Sequence, residues 1–280
     1  MLRWTCCLCT VGQVVHTLPE GQPVQAVTSL AGEIYVLRGL KIRDQVEVYD
    51  VITYRLLRHL SVPNLHEFTD MTSCEHYHCV YIGGFKCVHR LDVQGTATRW
   101  AVNDEPQGLS VNAAHNVLGT CRLVCKIKEF SSQGQLIREL TLPDDVINPS
   151  HSIQTRSGQF IVCHGLPDDA VHRVCNISAV DRAIVNSHGG RWGSDTGQYD
   201  VPRHLANDNY EFVYVVDVYN RRVTLLSPTL EFVRQVVSPD KLKGGPVRLC
   251  LDTQRRRLYV ADDEWKEGRY TAGRVVVFSV

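Results

Sequence analysis

The stretch GQYDVPRHLANDNYEFVYVVDVYNRRVTLLSP, residues 197–228, contains three short apolar segments separated by polar turns. A proline precedes the first segment, VYVVD forms the second, and a turn with Asn220 and Arg222 leads into the third. Asp, Asn and Gly suit such turns because they tolerate unusual backbone angles and make local hydrogen bonds. A weaker form of this pattern recurs along the chain, which predicts an internal repeat of short β-strands.

The repeat becomes visible when other segments are aligned on VYVVD. Each unit opens with a short strand, and these first strands are VQAVTSL, HEFTDMT, GLSVNAA, SHSIQTR, PRHLAND and PVRLCLD, beginning near residues 24, 66, 108, 150, 202 and 246. A period of about 40 to 50 residues with several strands in each unit is typical of propeller blades. The second and third strands are continuous apolar runs, as expected for strands buried on both faces.

The last unit lacks a fourth strand because the sequence ends at Val280. The segment GQVVHTL, residues 12–18, has the character of a fourth strand and could pair into that blade, which would leave no open sheet edge at the seam. We therefore predict an all-β, six-bladed propeller with four-stranded blades, closed by this N-terminal strand. It would be one domain over residues 1–280, with blades near 24–63, 64–105, 106–147, 148–200, 201–243 and 244–280.

The composition narrows the classes of partner. Lysine plus arginine and aspartate plus glutamate are both 30, so the chain has no net charge to attract nucleic acid or acidic lipid. No apolar run approaches the roughly 20 residues that cross a bilayer, and we interpret the N-terminal residues as part of the fold rather than as a signal peptide. The 11 cysteines lie mostly in apolar runs, which favours a reducing compartment. We expect a cytoplasmic, monomeric propeller without a membrane partner.

Residues 189–228 resemble the NHL repeat: a glycine-rich lead, an aromatic after Gly-Gln, a proline, a Tyr-Val-x-Asp strand and an Asn-x-Arg turn. The residues that carry this resemblance are Gly193, Gly197, Gln198, Tyr199, Pro202, Tyr214, Asp217, Asn220 and Arg222. The last unit keeps Tyr259 and Asp262 but has a longer segment, DEWKEGRYTAG, in place of the short turn.

The resemblance implies a six-bladed propeller and two different kinds of function. Some NHL propellers are the protein- or RNA-binding ends of tripartite-motif ubiquitin ligases. Others resemble peptidylglycine amidating lyase, a zinc enzyme with histidines in its channel, and the segment NPSHSI at 148–153 resembles a lyase segment whose histidine is a metal ligand. By this resemblance His151, and His204 more loosely, would be metal ligands.

Residues at the start of each innermost strand should converge at the mouth of the central channel. The alignment assigns these positions to Gln25, Glu67, Gly108, His151, His204 and Arg248, with His66 one position away. Two neighbouring imidazoles could bind zinc or calcium, or they could form a polar rim. A catalytic zinc usually has three protein ligands, and the other positions do not supply a third histidine. We therefore expect no cofactor, with a metal as the alternative.

These observations favour a non-catalytic interaction module, such as the substrate-recognition part of a ubiquitin-ligase-type protein. A protein partner would contact Trp192, Arg203, His204, Arg248 and Trp265. The insertion at 186–200 and the loop at 262–273 are the most distinctive surface features and contain the two tryptophans, and exposed tryptophan is a favoured interface anchor. The first alternative is a metal-dependent lyase or hydrolase-like enzyme that uses His151 and His204. The second is an RNA-binding propeller, with Arg255–Arg257 as the basic cluster.

Overall fold

The computed structural model describes residues 12–39, 45–65 and 67–280. These residues form 24 strands in six four-stranded antiparallel sheets, with two short 3-10 helices at Arg122–Val124 and Pro239–Lys241. The predicted six-bladed, all-β propeller is confirmed. No helix among the described residues has the length and apolar character needed to cross a membrane.

The first three blades each use four consecutive strands, ordered from the channel outward. Blade 1 contains β2 (Val24–Leu30), β3 (Glu33–Arg38), β4 (Gln45–Asp50) and β5 (Leu56–Ser61). Blade 2 contains β6 (Asp70–Cys74), β7 (Cys79–Gly84), β8 (Cys87–Asp92) and β9 (Ala97–Ala101). Blade 3 contains β10 (Gly108–Val111), β11 (Val117–Cys121), β12 (Lys126–Phe130) and β13 (Leu136–Thr141).

Blades 4 and 5 repeat this order, and blade 6 departs from it. Blade 4 contains β14 (Pro149–Gln154), β15 (Phe160–His164), β16 (Val171–Ile177) and β17 (Ile184–Arg191). Blade 5 contains β18 (Pro202–Asn207), β19 (Val213–Asp217), β20 (Arg222–Leu226) and β21 (Phe232–Val237). Blade 6 contains β22 (Gly245–Asp252), β23 (Arg257–Lys266) and β24 (Arg269–Ser279), and its outermost strand is β1 (Val14–Thr17).

The N-terminal strand closes the ring as predicted. In blade 6, β1 pairs with β24 so that Val14 lies opposite Phe278 and Thr17 opposite Val276. The backbone N–H of Leu18 then donates to the carbonyl of Val275 at 2.9 Å. Both ends of the described chain are therefore joined in one sheet, and the seam presents no unpaired strand edge between blades 6 and 1.

The apolar core is divided among the six interfaces between neighbouring blades. One buried cluster lies at each interface; between blades 1 and 2, for example, Leu37 and Val48 pack with Met71 and Ile82. Both faces of a middle strand are thus covered, and every residue of β19, VYVVD, is buried. This burial explains why the middle strands are apolar runs rather than alternating patterns.

The Asn-x-Arg turn of blade 5 is held by a buried carboxylate. Asp217 accepts hydrogen bonds from the backbone N–H of Asp200 at 2.7 Å, from Asn220 Nδ2 at 2.8 Å and from Arg222 Nε at 2.8 Å. Arg222 also donates to the carbonyl oxygen of Gln198 at 2.7 Å. These contacts fasten the turn to the preceding loop, so the most specific residues of the repeat stabilise the fold.

The segment 262–273 is not the loop that its sequence suggested. The strands β23 and β24 continue through it as a projecting hairpin, in which Trp265 pairs with Tyr270 and Lys266 with Arg269. The two turn residues, Glu267 and Gly268, have φ values of 52° and 77°, the left-handed conformation of a tight hairpin turn. Aromatic cross-strand pairing stabilises such strands, and the missing Asn-Gly or Asp-Gly signal hid the turn.

Arg38 is the most heavily bonded side chain at the seam. Its guanidinium donates to the carbonyl oxygens of Pro19 at 2.8 Å, Gln22 at 3.0 Å and Gly273 at 2.8 Å, and its Nε lies 2.7 Å from Glu47 Oε2. Arg38 is buried. It joins blade 1 to the segment between β1 and β2, through Pro19 and Gln22, and to β24 of blade 6, through Gly273. Seam stability should therefore depend on it.

We predict that Arg38→Met lowers the free energy of unfolding by on the order of 3 kcal/mol, because it leaves buried carbonyl oxygens without donors. Arg58→Met is the matched control, since Arg58 pairs with Glu33 in a more exposed position and such pairs contribute less than about 1 kcal/mol. Urea unfolding of both variants measures the difference. Equal losses would contradict this role for Arg38.

Candidate functional site

Six residues form one layer of the central channel, each from the start of an innermost strand. Each of these residues lies opposite the same position of the neighbouring second strand, namely Leu37, Gly83, Thr120, Cys163, Val216 or Ala261. We call this layer the channel ring, and its members are Ala26, Asp70, Gly108, His151, His204 and Arg248. Four of the six strands carry a bulge just before the ring residue.

The sequence alignment was wrong at two ring positions. It assigned Gln25 and Glu67 where the structure has Ala26 and Asp70, and His66 lies outside the described residues. In blade 2 no proline marks the start of the strand, and β6 begins four residues later than the alignment placed it. The hairpin formed by β6 and β7 could have located the ring residue of blade 2. Cys74 pairs with Cys79 across its turn, and counting back along this register places Asp70 opposite Gly83.

Asp70 is the centre of the channel ring. Its Oδ1 lies 3.0 Å from Arg248 Nε, and its Oδ2 accepts the backbone N–H of Leu109 at 2.8 Å. The same Oδ2 lies 3.4 Å from His204 Nε2 and 3.7 Å from His151 Nε2. One carboxylate with 0% exposure therefore contacts residues from four other blades.

The two histidines pack against each other beside this carboxylate. Their ring centroids are 3.9 Å apart at an interplanar angle of 31°. His151 Nε2 donates to the carbonyl oxygen of Leu109 at 2.9 Å, whereas neither ring nitrogen of His204 has a hydrogen bond of good geometry. Because His204 is buried, it offers a polar group to the channel that the protein itself does not satisfy.

Gly108 makes room for His151 in the ring. A Cβ atom at this position would lie 2.6 Å from the carbonyl oxygen of Ser150 and 2.8 Å from His151 Cδ2. The absence of a side chain in blade 3 therefore lets the imidazole from blade 4 reach across towards Asp70. The same close approach brings the backbone of Leu109 within hydrogen-bonding distance of Asp70 and His151.

The ring contains one anion and one permanent cation at neutral pH. Burial lowers the pKa of His151 to about 3, and His204 lowers it further. Burial also lowers the pKa of His204, although the negative charge of Asp70 acts in the opposite direction. Burial alone would raise the pKa of Asp70, but its cationic neighbours, His204 when protonated and Arg248, hold it below its usual range. With both imidazoles neutral, Arg248 and the Leu109 N–H keep the carboxylate ionised.

The proposed partner-binding residues separate into two environments. His204 and Arg248 are buried in the channel ring, and Arg248 is occupied by Asp70 and by the carbonyl oxygen of Thr69 at 2.7 Å. Trp192 and Trp265 are 54% and 52% exposed. Both tryptophans lie on the face that carries the channel mouth, because the ends of β17 and β23 are on the same side as the starts of the innermost strands.

Arg203 lies between the channel mouth and a surface depression of about 350 Å³, which is located between blades 5 and 6. Its Nη1 donates to the hydroxyl of Tyr270 at 3.1 Å. We call this depression the aromatic groove, and it is lined by Val218, Tyr219, Arg221, Lys243, Gly244, Gly245, Asp263, Glu264, Trp265, Lys266 and Tyr270. The sequence analysis missed Tyr219 and Tyr270, since only the fold places them beside Trp265.

The basic cluster Arg255–Arg257 lies on the opposite face, in the turn between β22 and β23. All three of its members are bonded within the protein. Arg255 Nη1 lies 3.1 Å from Asp252 Oδ2, Arg256 Nε donates to the carbonyl oxygen of Val280 at 3.2 Å, and Arg257 Nη1 donates to the carbonyl oxygen of Arg256 at 3.2 Å. The cluster is therefore separate from the channel mouth and from the aromatic groove.

Comparisons with known proteins identify the fold. No family model and no curated sequence matches the chain. The PQQ-bound aldose sugar dehydrogenase of Streptomyces coelicolor superposes with a TM-score of 0.67 at 10% identity, covering 95% of this chain and 98% of that one. Hydrazine synthase of Kuenenia stuttgartiensis gives 0.63 at 12%, covering 92% and 97%, and a streptogramin B lyase gives 0.62 at 12%, covering 92% and 83%. At such identities the likeness establishes the propeller fold alone.

The buried His151 should make stability depend on pH. Its folded pKa of about 3 lies below the ordinary 6.5, so the folded state binds fewer protons than the unfolded state. Its contribution is complete above pH 6.5 and is lost as the pH falls towards 3. When the pH falls from about 7 to 5, we predict that the free energy of unfolding decreases by on the order of 2 kcal/mol less in His151→Gln than in wild type.

Urea unfolding at several pH values measures this slope. The slope separates titration from a general loss of packing, because a packing defect would lower the free energy of unfolding equally at every pH. An unchanged slope in His151→Gln would contradict the assignment of His151 as a neutral, buried imidazole.

Proposed function

We propose that the chain is an NHL-type propeller that acts as a non-catalytic protein-interaction module, binding an extended segment of a protein partner in the aromatic groove. The observation that carries this proposal is the position of Trp265. It is half exposed on the projecting hairpin and stands edge-on to Tyr270, with ring centroids 4.7 Å apart. Rigid, partly exposed aromatic residues beside a groove are the usual anchors of protein recognition.

The backbone of the hairpin supports an extended occupant. The register between β22 and β23 starts with Gly245 opposite Asp263, so the residues Glu264–Lys266 extend past the first residue of β22 and have no partner in that strand. Their ladder is made to β24 on the other side. An extended peptide could add to this projecting strand edge through main-chain hydrogen bonds while its side chains enter the groove.

Trp192 extends the proposed surface towards blade 4. The carbonyl oxygen of Gly193, its neighbour, accepts a hydrogen bond from Asn220 Nδ2 at 2.8 Å, and Tyr219 and Arg221 on either side of Asn220 line the groove. A partner that covers the groove would thus reach Trp192 across the turn of blade 5. In a ubiquitin-ligase-type protein, the segment bound here would belong to the substrate.

We predict that peptides selected from a random phage-displayed library against the wild-type protein lose about 30-fold in affinity for Trp265→Ala, since an anchor residue contributes about 2 kcal/mol. Fluorescence polarisation with the labelled peptide measures the affinity. Tyr210→Ala is the matched control, because Tyr210 is 73% exposed but lies in the turn between β18 and β19, on the opposite face.

The control variant should bind within about two-fold of wild type, well below the tenfold that 1.4 kcal/mol represents. Selected peptides that bind wild type and Trp265→Ala equally would exclude the aromatic groove as the docking site. Peptides that depend on Tyr210 instead would move the site to the opposite face.

A metal-dependent enzyme is the second candidate, supported by Asp70, His151 and His204. One potential ligand atom from each lies within 4.8 Å of the others, and all three residues are buried. Two features oppose a metal: the Arg248 guanidinium already supplies a positive charge to Asp70, and His151 Nε2 is committed to Leu109. The donor set would suit zinc better than calcium, since imidazole nitrogen is a common zinc ligand.

Because Arg248 occupies the cationic position, we predict that purified wild-type protein carries well under one equivalent of zinc or calcium, and that Arg248→Ala binds more zinc than wild type. Elemental mass spectrometry after incubation with zinc and desalting measures the content. About one zinc per wild-type chain that disappears in His204→Ala would favour the enzyme, because a catalytic site needs its ligands intact.

A further inference from the structure

A cavity of about 310 Å³ opens at the channel mouth, above the channel ring. We call it the mouth cavity, and the residues that matter for its chemistry are Glu67, Phe68, Glu105, Gln107, Arg203 and Arg248. Its size is at the lower end of the range for small-molecule sites. The proposed groove for a protein partner is a separate depression, and nothing in that proposal uses the interior of the mouth cavity.

The charges of the mouth cavity are segregated by the propeller itself. Glu67 and Glu105 precede the innermost strands of blades 2 and 3, whereas Arg203 and Arg248 lie on the innermost strands of blades 5 and 6. Blades 2 and 3 face blades 5 and 6 across the axis of a six-bladed ring. One wall of the cavity therefore carries free carboxylates, and the opposite wall carries the free guanidinium of Arg203. The Arg248 guanidinium reaches across to blade 2, where it is bonded to Asp70 and Thr69.

The basic wall has more positive charge than the protein neutralises. Arg203 makes one hydrogen bond, to Tyr270, and no ion pair with any acid among the described residues. The free fork of Arg203 matches a carboxylate, which guanidinium groups bind through two parallel hydrogen bonds.

The acidic wall is likewise available to a ligand. Within the described part of the chain, Glu67 and Glu105 form no ion pair, and Glu105 accepts a single hydrogen bond from Gln107 Nε2 at 2.8 Å. Glu105 is half buried, so its charge is less well hydrated than one on an open surface. An ammonium group between these two carboxylates would meet acceptors from both.

We infer that the mouth cavity binds a small zwitterion of the α-amino acid class, with its carboxylate on Arg203 and its ammonium on Glu67 and Glu105. Phe68 supplies an apolar contact for the rest of the ligand. A simple anion would leave the acidic wall unpaired and repelled, and a simple cation would do the same to the basic wall. Only a ligand with both charges satisfies both walls.

Isothermal titration calorimetry with the twenty common amino acids tests this inference on the whole chain. We expect at least one to bind with a dissociation constant of about 1 mM or tighter, equivalent to about 4 kcal/mol. Its N-acetyl and its carboxamide derivatives should each bind at least about tenfold more weakly, because each loses one charge-assisted contact. No binding by any amino acid, or equal binding by either blocked derivative, overturns the inference.

Two variants assign each charge to its wall. Arg203→Gln should abolish the preference for the free carboxylate over the carboxamide, and Glu105→Gln should abolish the preference for the free amine over the N-acetyl form. A change in overall folding would weaken all the ligands alike, and that result would overturn the assignment. Arg99→Gln, on the outer strand β9, is the control and should leave all the affinities unchanged.

Discussion

The arrangement of the channel depends on one buried charge, the carboxylate of Asp70. It is anchored by the backbone of blade 3 and by Arg248 of blade 6, and it faces the two histidines of blades 4 and 5. A buried ion without its partner is strongly destabilising, so these blades must keep the register that brings their innermost strands together. That register also places Arg203 and Glu105 at the channel mouth, where ligands have access.

The fold was predictable because the burial of each strand determines the apolar and polar pattern of the repeat. Middle strands packed on both faces have to be apolar, and the turns between them have to be polar, so the period of the pattern gives the blades. Closure followed from the missing strand of blade 6 and the strand-like segment that became β1. The register of individual blades was less predictable, because a shift of a few residues leaves the apolar pattern almost intact, and this hid Asp70.

The candidate sites were predictable only in part, for a related reason. His151 and His204 follow proline markers and were found, but their environment depends on Gly108, whose importance comes from what its missing side chain admits. The aromatic groove depends on the projecting hairpin of blade 6, which the sequence presents as a polar loop. Tyr219 and Trp265 are far apart in sequence, and only the neighbouring positions of blades 5 and 6 bring them to one groove.

The most direct test of the account is hydrogen–deuterium exchange of the protein with and without a peptide selected for binding. If the peptide adds to the projecting strand, the amides of Glu264–Lys266 and of the turn at 218–221 should exchange more slowly in the complex, because their edge becomes covered or hydrogen-bonded. The turn at 208–212, on the opposite face, should be unchanged. Protection confined to that opposite face would contradict the central claim that the aromatic groove is the recognition site.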